Sequence, residues 1–266
     1  MGLRKVSSVT FQFLDVETEG TIAFATLDRP PVNAVNQAMY AEIRDFFSCI
    51  DEHLPRIRVV VLCGRGKHFC AGNDLHEFLE LTPTNSPGRM KLVREAFFAV
   101  QDCPVPVIGA LHGMVAGTGV ALAASCDVLV AGASTQIATP EVGVGVMGGA
   151  KHLARLVPEA VTRKMYFTAD PVPVEELRGY GLVADIVPDE KLDDTVRELA
   201  ARIARHSRAA LRHAKEALNS IEWMDLKAGY EFEQRLTGRL SGHPDSAEAR
   251  RSIVERRPAV YSDSED

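Results

Sequence analysis

The sequence predicts an α/β protein whose early strands are joined by helices and whose last third is mainly helical. Three observations carry this expectation. Short continuous apolar runs such as Val59, Val60, Val61, Leu62 and Cys63 suit strands covered on both faces. Between such runs, apolar residues recur at helical spacing, which is the pattern of crossover connections. After Ile186 and Val187 no strong strand pattern follows.

Taken along the chain, residues 21–27 are apolar and β-prone, and they read as a strand. Met39, Ile43, Phe46, Phe47 and Ile50 mark one face of a helix, and residues 59–63 return to a strand. Val93, Phe97 and Val100 mark a second, weaker helical face. Residues 105–111 and 128–131 are further strands, separated by the small, apolar residues 120–125, which read as a buried helix. Leu192, Val196, Leu199 and Ile203 open the helical end; Leu211, Ala214, Leu218 and Ile221 continue it, and residues 226–240 form a third helix. We therefore divide the chain into a core over residues 1–188, a helical C-terminal subdomain over 189–260, and an acidic tail over 261–266 that is expected to be disordered.

A chain of 266 residues can bury one large core without disulfides or metals. The formal net charge of −6 argues against nucleic acid as the main partner. Five cysteines, with no CxxC pair, read as reduced core residues of a cytoplasmic protein. The first twenty residues lack a secretory apolar region, and no run reaches the roughly 18 apolar residues of a membrane span. A cytoplasmic location without a membrane partner is the expectation.

Two glycine-rich loops follow strands. Residues 64–75 pass through Lys67, Cys70, Ala71, Gly72, Asn73, Asp74 and Leu75. A strand end entering a helix aims backbone N–H groups at whatever sits there. The same residues also read as a plain turn with Asn73 or Asp74 as N-cap. Gly113, Gly117, Thr118 and Gly119 make a similar entry to the buried helix, where glycine is otherwise needed only for close packing. Together the two loops suit a thioester reaction, in which two convergent N–H groups stabilise a developing oxyanion. Glu141 stands among apolar residues and glycines; if buried, its pKa rises and it can move protons near neutral pH. Gly143, Gly145 and Gly148 match a dinucleotide-loop pattern formally, but no βαβ unit opens there. The eight histidines have no metal-ligand spacing. A basic run from Arg202 to Lys215 reads as a solvated helix face, with contact to a nucleotide-like phosphate as the alternative.

Five segments in register resemble the crotonase (enoyl-CoA hydratase/isomerase) superfamily: residues 27–34 with Arg29, residues 69–75, residues 112–122 with Cys126 and Asp127, Thr139 to Glu141, and residues 214–219. The resemblance implies a crotonase-type spiral of ββα turns with C-terminal helices that assemble homotrimers or hexamers. It implies an acyl-CoA substrate, with coenzyme A as part of that substrate, and no separate metal or redox cofactor. Carried over by position, the N–H groups of Ala71 and Thr118 become the oxyanion donors and Glu141 the general acid/base. Gly72, Asn73, Asp74, Leu75, Gly117, Arg29 and Lys67 become substrate-binding residues. The resemblance puts glycine where Thr118 stands, and a β-branched residue is costly if that position needs positive φ. A second glutamate of hydratases falls at Ala121 and is missing. Residues 145–156, including His152, with 215–219, are also similar to ring-opening CoA hydrolases. In those, water attacks a ring ketone and a C–C bond breaks with a thioester enolate as leaving group.

We rank an enoyl-CoA hydratase first, a single-acid Δ3,Δ2-enoyl-CoA isomerase next and a C–C bond acyl-CoA hydrolase third. A non-catalytic acyl-CoA-binding protein and a nicotinamide dehydrogenase are the readings from other classes. The pocket walls are expected from residues 39–47, 76–81 and 82–94.

Overall fold

The computed structural model describes the backbone of Arg4–Lys5 and residues 10–262. Strands β1 (Arg4–Lys5), β2 (Leu14–Glu19) and β3 (Ile22–Leu27) form an antiparallel edge. Helices α1 (Gln37–Ser48) and α2 (Ile50–His53) lead to β4 (Val59–Gly64). Helices α3 (Leu75–Phe78) and α4 (Ser86–Gln101) lead to β5 (Val107–Leu111). Next come β6 (Met114–Ala116), α5 (Thr118–Ser125), β7 (Val128–Gly132) and β8 (Gln136–Ala138). A 3-10 turn (Glu141–Val144) then precedes α6 (Ala150–Leu156), α7 (Glu159–Thr168), β9 (Val172–Pro173), α8 (Val174–Leu177) and β10 (Asp185–Val187). The chain ends in α9 (Leu192–Ala204), α10 (Arg208–Ile221), α11 (Leu226–Ser241) and α12 (Pro244–Val254).

The main sheet has the order β1-β2-β3-β4-β5-β7-β10 and is parallel from β3 onward. A smaller sheet, β6-β8-β9, lies apart from it. The two are wound together. Strands β3, β4, β5 and β7 are each followed by a short extended piece that stacks on its neighbour's, and then by a helix or 3-10 turn. The stack runs Val35 to Asn73 and Cys70 to Val115 through single bridges, then Val115 to Ile137 through β6 and β8. This is the expected spiral of ββα turns.

The apolar runs explain why the main sheet sits between two layers. Alternate side chains of a strand face opposite ways. Val60 and Leu62 join the large core with α1, α4 and α5, whereas Val59 and Val61 join a second cluster with Ile108 and Val130. Helix α9 covers that second face with Leu192, Val196 and Ala200. Each such side chain contributes about 1.5–3 kcal/mol by leaving water. Helix α1 starts at Asn36, whose side chain accepts the Met39 N–H, and buries Met39, Tyr40, Ile43, Phe46 and Phe47. All eight residues of α5 are buried, as its small residues predict.

Three expectations change. The helical end has four helices rather than three, and its first helix completes the sheet's outer face. The basic run divides: Arg202, Arg205 and His206 are exposed as a solvated face would be, whereas Arg208 and Arg212 pair with Asp51, and Lys215 is buried against Asp127 at 2.8 Å. Lys215 also donates to the carbonyls of Val100 and Val105, which locks α10 onto the end of α4 and the approach to β5. In the tail expected to be disordered, Ser262 is held by Asp245 through its N–H and hydroxyl. Arg58 stands over the ring of Tyr261. Residues 263–266 lie outside the described residues.

All five cysteines are free, and Cys70, Cys103 and Cys126 are buried. No helix among the described residues is long and apolar enough to cross a membrane.

Candidate active site

The first loop is held by an asparagine in the segment before α1. Asn33 is buried at φ 53 and donates from Nδ2 to the carbonyls of Arg65, His68 and Phe69 at 3.0, 2.8 and 3.2 Å. Its own Oδ1 accepts the Arg29 N–H. One side chain thus clamps the loop that leaves β4. The next residues form an extended stretch: Val35 N–H donates to Gly72 O, and Asp74 N–H donates to Val35 O.

This pairing corrects the first expected donor. The Ala71 N–H donates to Val32 O at 3.0 Å and is therefore occupied. The Asn73 N–H has no acceptor among the described residues. Because Gly72 O and Asp74 N–H point at Val35, the alternation of an extended strand turns the Asn73 N–H the other way. Gly117 lies on that side: a Cβ on it would meet Gly72 Cα at 3.8 Å.

Thr118 occupies the place expected for the second donor. The left-handed conformation falls on Gly117, at φ 51, and Thr118 is the first residue of α5. A β-branched residue is therefore tolerated at 118. As the first helical residue, its N–H has no partner within the helix and is available to a ligand. Its hydroxyl meets the Tyr40 hydroxyl at 2.6 Å, and Tyr40 in turn donates to Asn73 Oδ1 at 2.5 Å.

Glu141 opens the 3-10 turn and is buried, with 7% of its surface exposed. Oε2 has no hydrogen-bond partner among the described residues. Oε1 lies between two glycines: a Cβ on Gly117 would meet it at 3.5 Å and one on Gly149 at 2.9 Å. Burial pushes its carboxyl above the usual range, only partly opposed by a hydrogen bond from its own backbone. A buried carboxyl with a raised pKa can move protons near neutral pH.

Two cavities meet here. One, of about 500 Å³, has apolar walls that include Phe78, Leu81, Met90, Val93, Phe97 and Met147, with Asn73, Ser86, Arg94, Thr118, Glu141 and His152 as its polar members. The other, of about 560 Å³, runs past Arg29, residues 71–76 and Val144. Asn73, Phe78, Gly117, Glu141 and Val146 line both. Burial keeps His152 below the usual imidazole range, so its ring stays neutral near pH 7, and it stands edge-on to Phe97 at 5.2 Å between centroids. Among the described residues, no cluster of His, Cys, Asp or Glu is placed to hold a metal.

The other expected site residues divide. Ala71, Gly72, Asp74 and Leu75 line the second cavity. Arg29 lines it as well, but its guanidinium is committed to Asp74 at 2.5 Å and to Ala34 O at 2.7 Å. It fixes the loop that Asp74 caps. Lys67 is exposed in the loop and lines neither cavity. Of the expected walls, residues 76–81 and 82–94 contribute, whereas Met39, Ile43, Phe46 and Phe47 belong to the core. Phe97 and Gly149 lie outside the expected site residues, and Tyr40 falls within the expected wall 39–47. Tyr40 stood beside the apolar face of α1 with nothing in the sequence to single out its hydroxyl.

A wound ββα spiral with a buried carboxylate at the junction of two cavities defines an acyl-CoA enzyme of the crotonase class. The chain belongs to the enoyl-CoA hydratase/isomerase family, whose model matches residues 17–264. It is 38% identical over 248 residues to a (7aS)-7a-methyl-1,5-dioxo-2,3,5,6,7,7a-hexahydro-1H-indene-carboxyl-CoA hydrolase of Rhodococcus jostii strain RHA1, covering 91% of this chain and 95% of that one. It is 30% identical to a short-chain-enoyl-CoA hydratase of Clostridium acetobutylicum, covering 91% and 94%. The crystal structure of an enoyl-CoA hydratase from Bacillus anthracis superposes with a TM-score of 0.89 at 28% identity, covering 95% of this chain and all of that one.

Proposed function

We propose that the protein hydrolyses a C–C bond in a cyclic β-ketoacyl-CoA, opening the ring. The observation that carries this is a single buried carboxylate, Glu141, facing a roomy apolar chamber in which Ala121 forms part of the wall. Hydration of an enoyl thioester divides its work between two carboxylates, and the second position is Ala121. The likeness to a hydrolase of a bicyclic diketone thioester, at 38% identity against 30% for the hydratase, supports the same ordering. It moves the hydrolase ahead of the hydratase and the isomerase in our ranking.

One carboxylate suffices for this reaction. The thioester sits where the two cavities join, with its oxygen toward the N–H groups of Asn73 and Thr118. The ring occupies the chamber walled by Met90, Phe97 and Met147. Glu141 takes a proton from water as the water oxygen bonds to the ring ketone carbon. The tetrahedral adduct collapses, the bond from that carbon to the thioester α-carbon breaks, and its electron pair becomes the thioester enolate. The two N–H groups stabilise the enolate oxygen. Glu141 returns its proton to the α-carbon. The former ketone leaves as a carboxylic acid, which ionises in water. Neutral His152 and the free Glu141 Oε2 are the polar groups on hand to orient the water.

The test compares two substrates. The indane-dione-carboxyl-CoA named above should be consumed with the gain of one water per molecule, and crotonyl-CoA should be hydrated poorly. Brisk hydration of crotonyl-CoA with an inert cyclic diketone would return the hydratase to first place.

A further inference from the structure

We propose that Tyr40 is the positioning residue of the oxyanion site, its one hydroxyl tying together the two residues whose N–H groups hold the thioester oxygen. The inference rests on the reading of Asn73 and Thr118 as those donors.

Tyr40 is fully buried on α1, and its ring stacks edge-on against Phe97 at 5.9 Å. Burial pushes its phenol further above the ordinary tyrosine range, so it is a neutral O–H at every working pH. Its oxygen donates to Asn73 Oδ1 at 2.5 Å. Having given its one proton there, it can only accept from Thr118 Oγ1, at 2.6 Å. The chain therefore runs in one direction, from the Thr118 hydroxyl through Tyr40 to Asn73. Both ends line the first cavity, Asn73 at its junction with the second, and they come from loops 45 positions apart. Neither loop is joined to the other at these residues by a direct side-chain bond among the described residues. Beside them the two stretches are joined by backbone hydrogen bonds, from the Ala116 N–H to Cys70 O at 2.9 Å and from the Cys70 N–H to Met114 O at 3.2 Å.

An oxyanion site depends on the spacing of its donors, and a loosening of about 1 Å is enough to weaken it markedly. The chain also accounts for a threonine at 118. A glycine there would supply the same N–H but no link to Tyr40.

The experiment uses the full chain and acetoacetyl-CoA, a β-keto thioester whose enolate absorbs in the near ultraviolet. Binding at the donor pair should favour the enolate, the C2 proton passing to solvent. Tyr40→Phe should bind acetoacetyl-CoA within about threefold of wild type by calorimetry. Its enolate should fall about tenfold, equivalent to a rise of about one unit in the apparent pKa of the bound ligand. An enolate fraction equal to wild type would overturn the proposal. So would loss of binding and enolate together, which would make Tyr40 a general support of the chamber. If wild type binds the ligand without raising its enolate, the donor pair itself is wrong, and the role of Tyr40 goes with it. Should Tyr40→Phe not fold, Thr118→Val breaks the same chain while keeping the N–H. It should produce the same loss of enolate, and no loss would again overturn the proposal.

Discussion

Glu141 Oε1 lies so close to Gly149 that a methyl group on that glycine would sit 2.9 Å from it. Gly149 is also left-handed, at φ 74, and stands immediately before α6. Two separate constraints, space and conformation, therefore meet at one residue beside the proposed proton-transfer group. Gly149→Ala should lower kcat by roughly tenfold or more through displacement of the carboxylate, with about 1 kcal/mol of backbone strain. Steady-state kinetics and a denaturant titration check both parts; unchanged kcat would mean that the carboxylate tolerates displacement.

Glu141→Gln removes the base and keeps the shape. Turnover should drop about 10²–10⁴-fold while acyl-CoA binding persists. The same substitution should raise the melting temperature at neutral pH, because an ionised Oε2 without a partner is replaced by a neutral amide. Full activity in this variant would remove Glu141 from the mechanism.

The pH dependence follows from the raised carboxyl of Glu141. Its basic form is needed, so kcat/KM should be lost as pH falls through a value above the usual glutamate pKa of about 4.3. The stability effect has the opposite sense. A folded-state pKa above the unfolded one gives a contribution present below the unfolded pKa and lost as pH rises through the folded one. The stability difference between Glu141→Gln and wild type should therefore be near zero in acid and grow toward neutral pH. A difference that stays flat across this range would count against burial as the cause.

Asp127 has a structural prediction of its own. It accepts from Lys215 Nζ at 2.8 Å and from the Val107 N–H at 2.6 Å, joining α10 to the start of β5. Asp127→Ala leaves a buried ammonium without its counter-charge and should cost about 3–5 kcal/mol. Lys215→Met should cost less, since it removes the charge and fills the space. Equal losses, measured by chemical denaturation, would show that the charge imbalance is not what matters.

The principal strands and helices were legible because their signal is local. Val59 to Cys63 states its own burial on two faces, and the period of Met39, Ile43 and Phe46 states the inward face of α1. The short strands β6, β8 and β9 were not legible. They have two or three residues each, too few to show a period. The resemblance placed Glu141, Asn73 and Thr118 in one site, but only the pairing of the extended pieces separated Ala71 from Asn73. A sequence position does not say which N–H a neighbouring carbonyl has already taken, and Val32 O takes that of Ala71.

By itself the sequence determined an α/β class with a helical end, and its resemblance to a family implied the spiral, the two loops, Glu141 and the missing second glutamate at Ala121. These depend on residue types, on their order and on periods of a few residues, all of which the chain carries locally. The tertiary structure alone decided which amides are free, that Lys215 is buried in an ion pair, that Gly149 abuts Glu141, and that Tyr40 joins Asn73 to Thr118. Each of these is a contact across 8 to 88 positions, set by how the spiral stacks its turns, and no local pattern encodes such a distance.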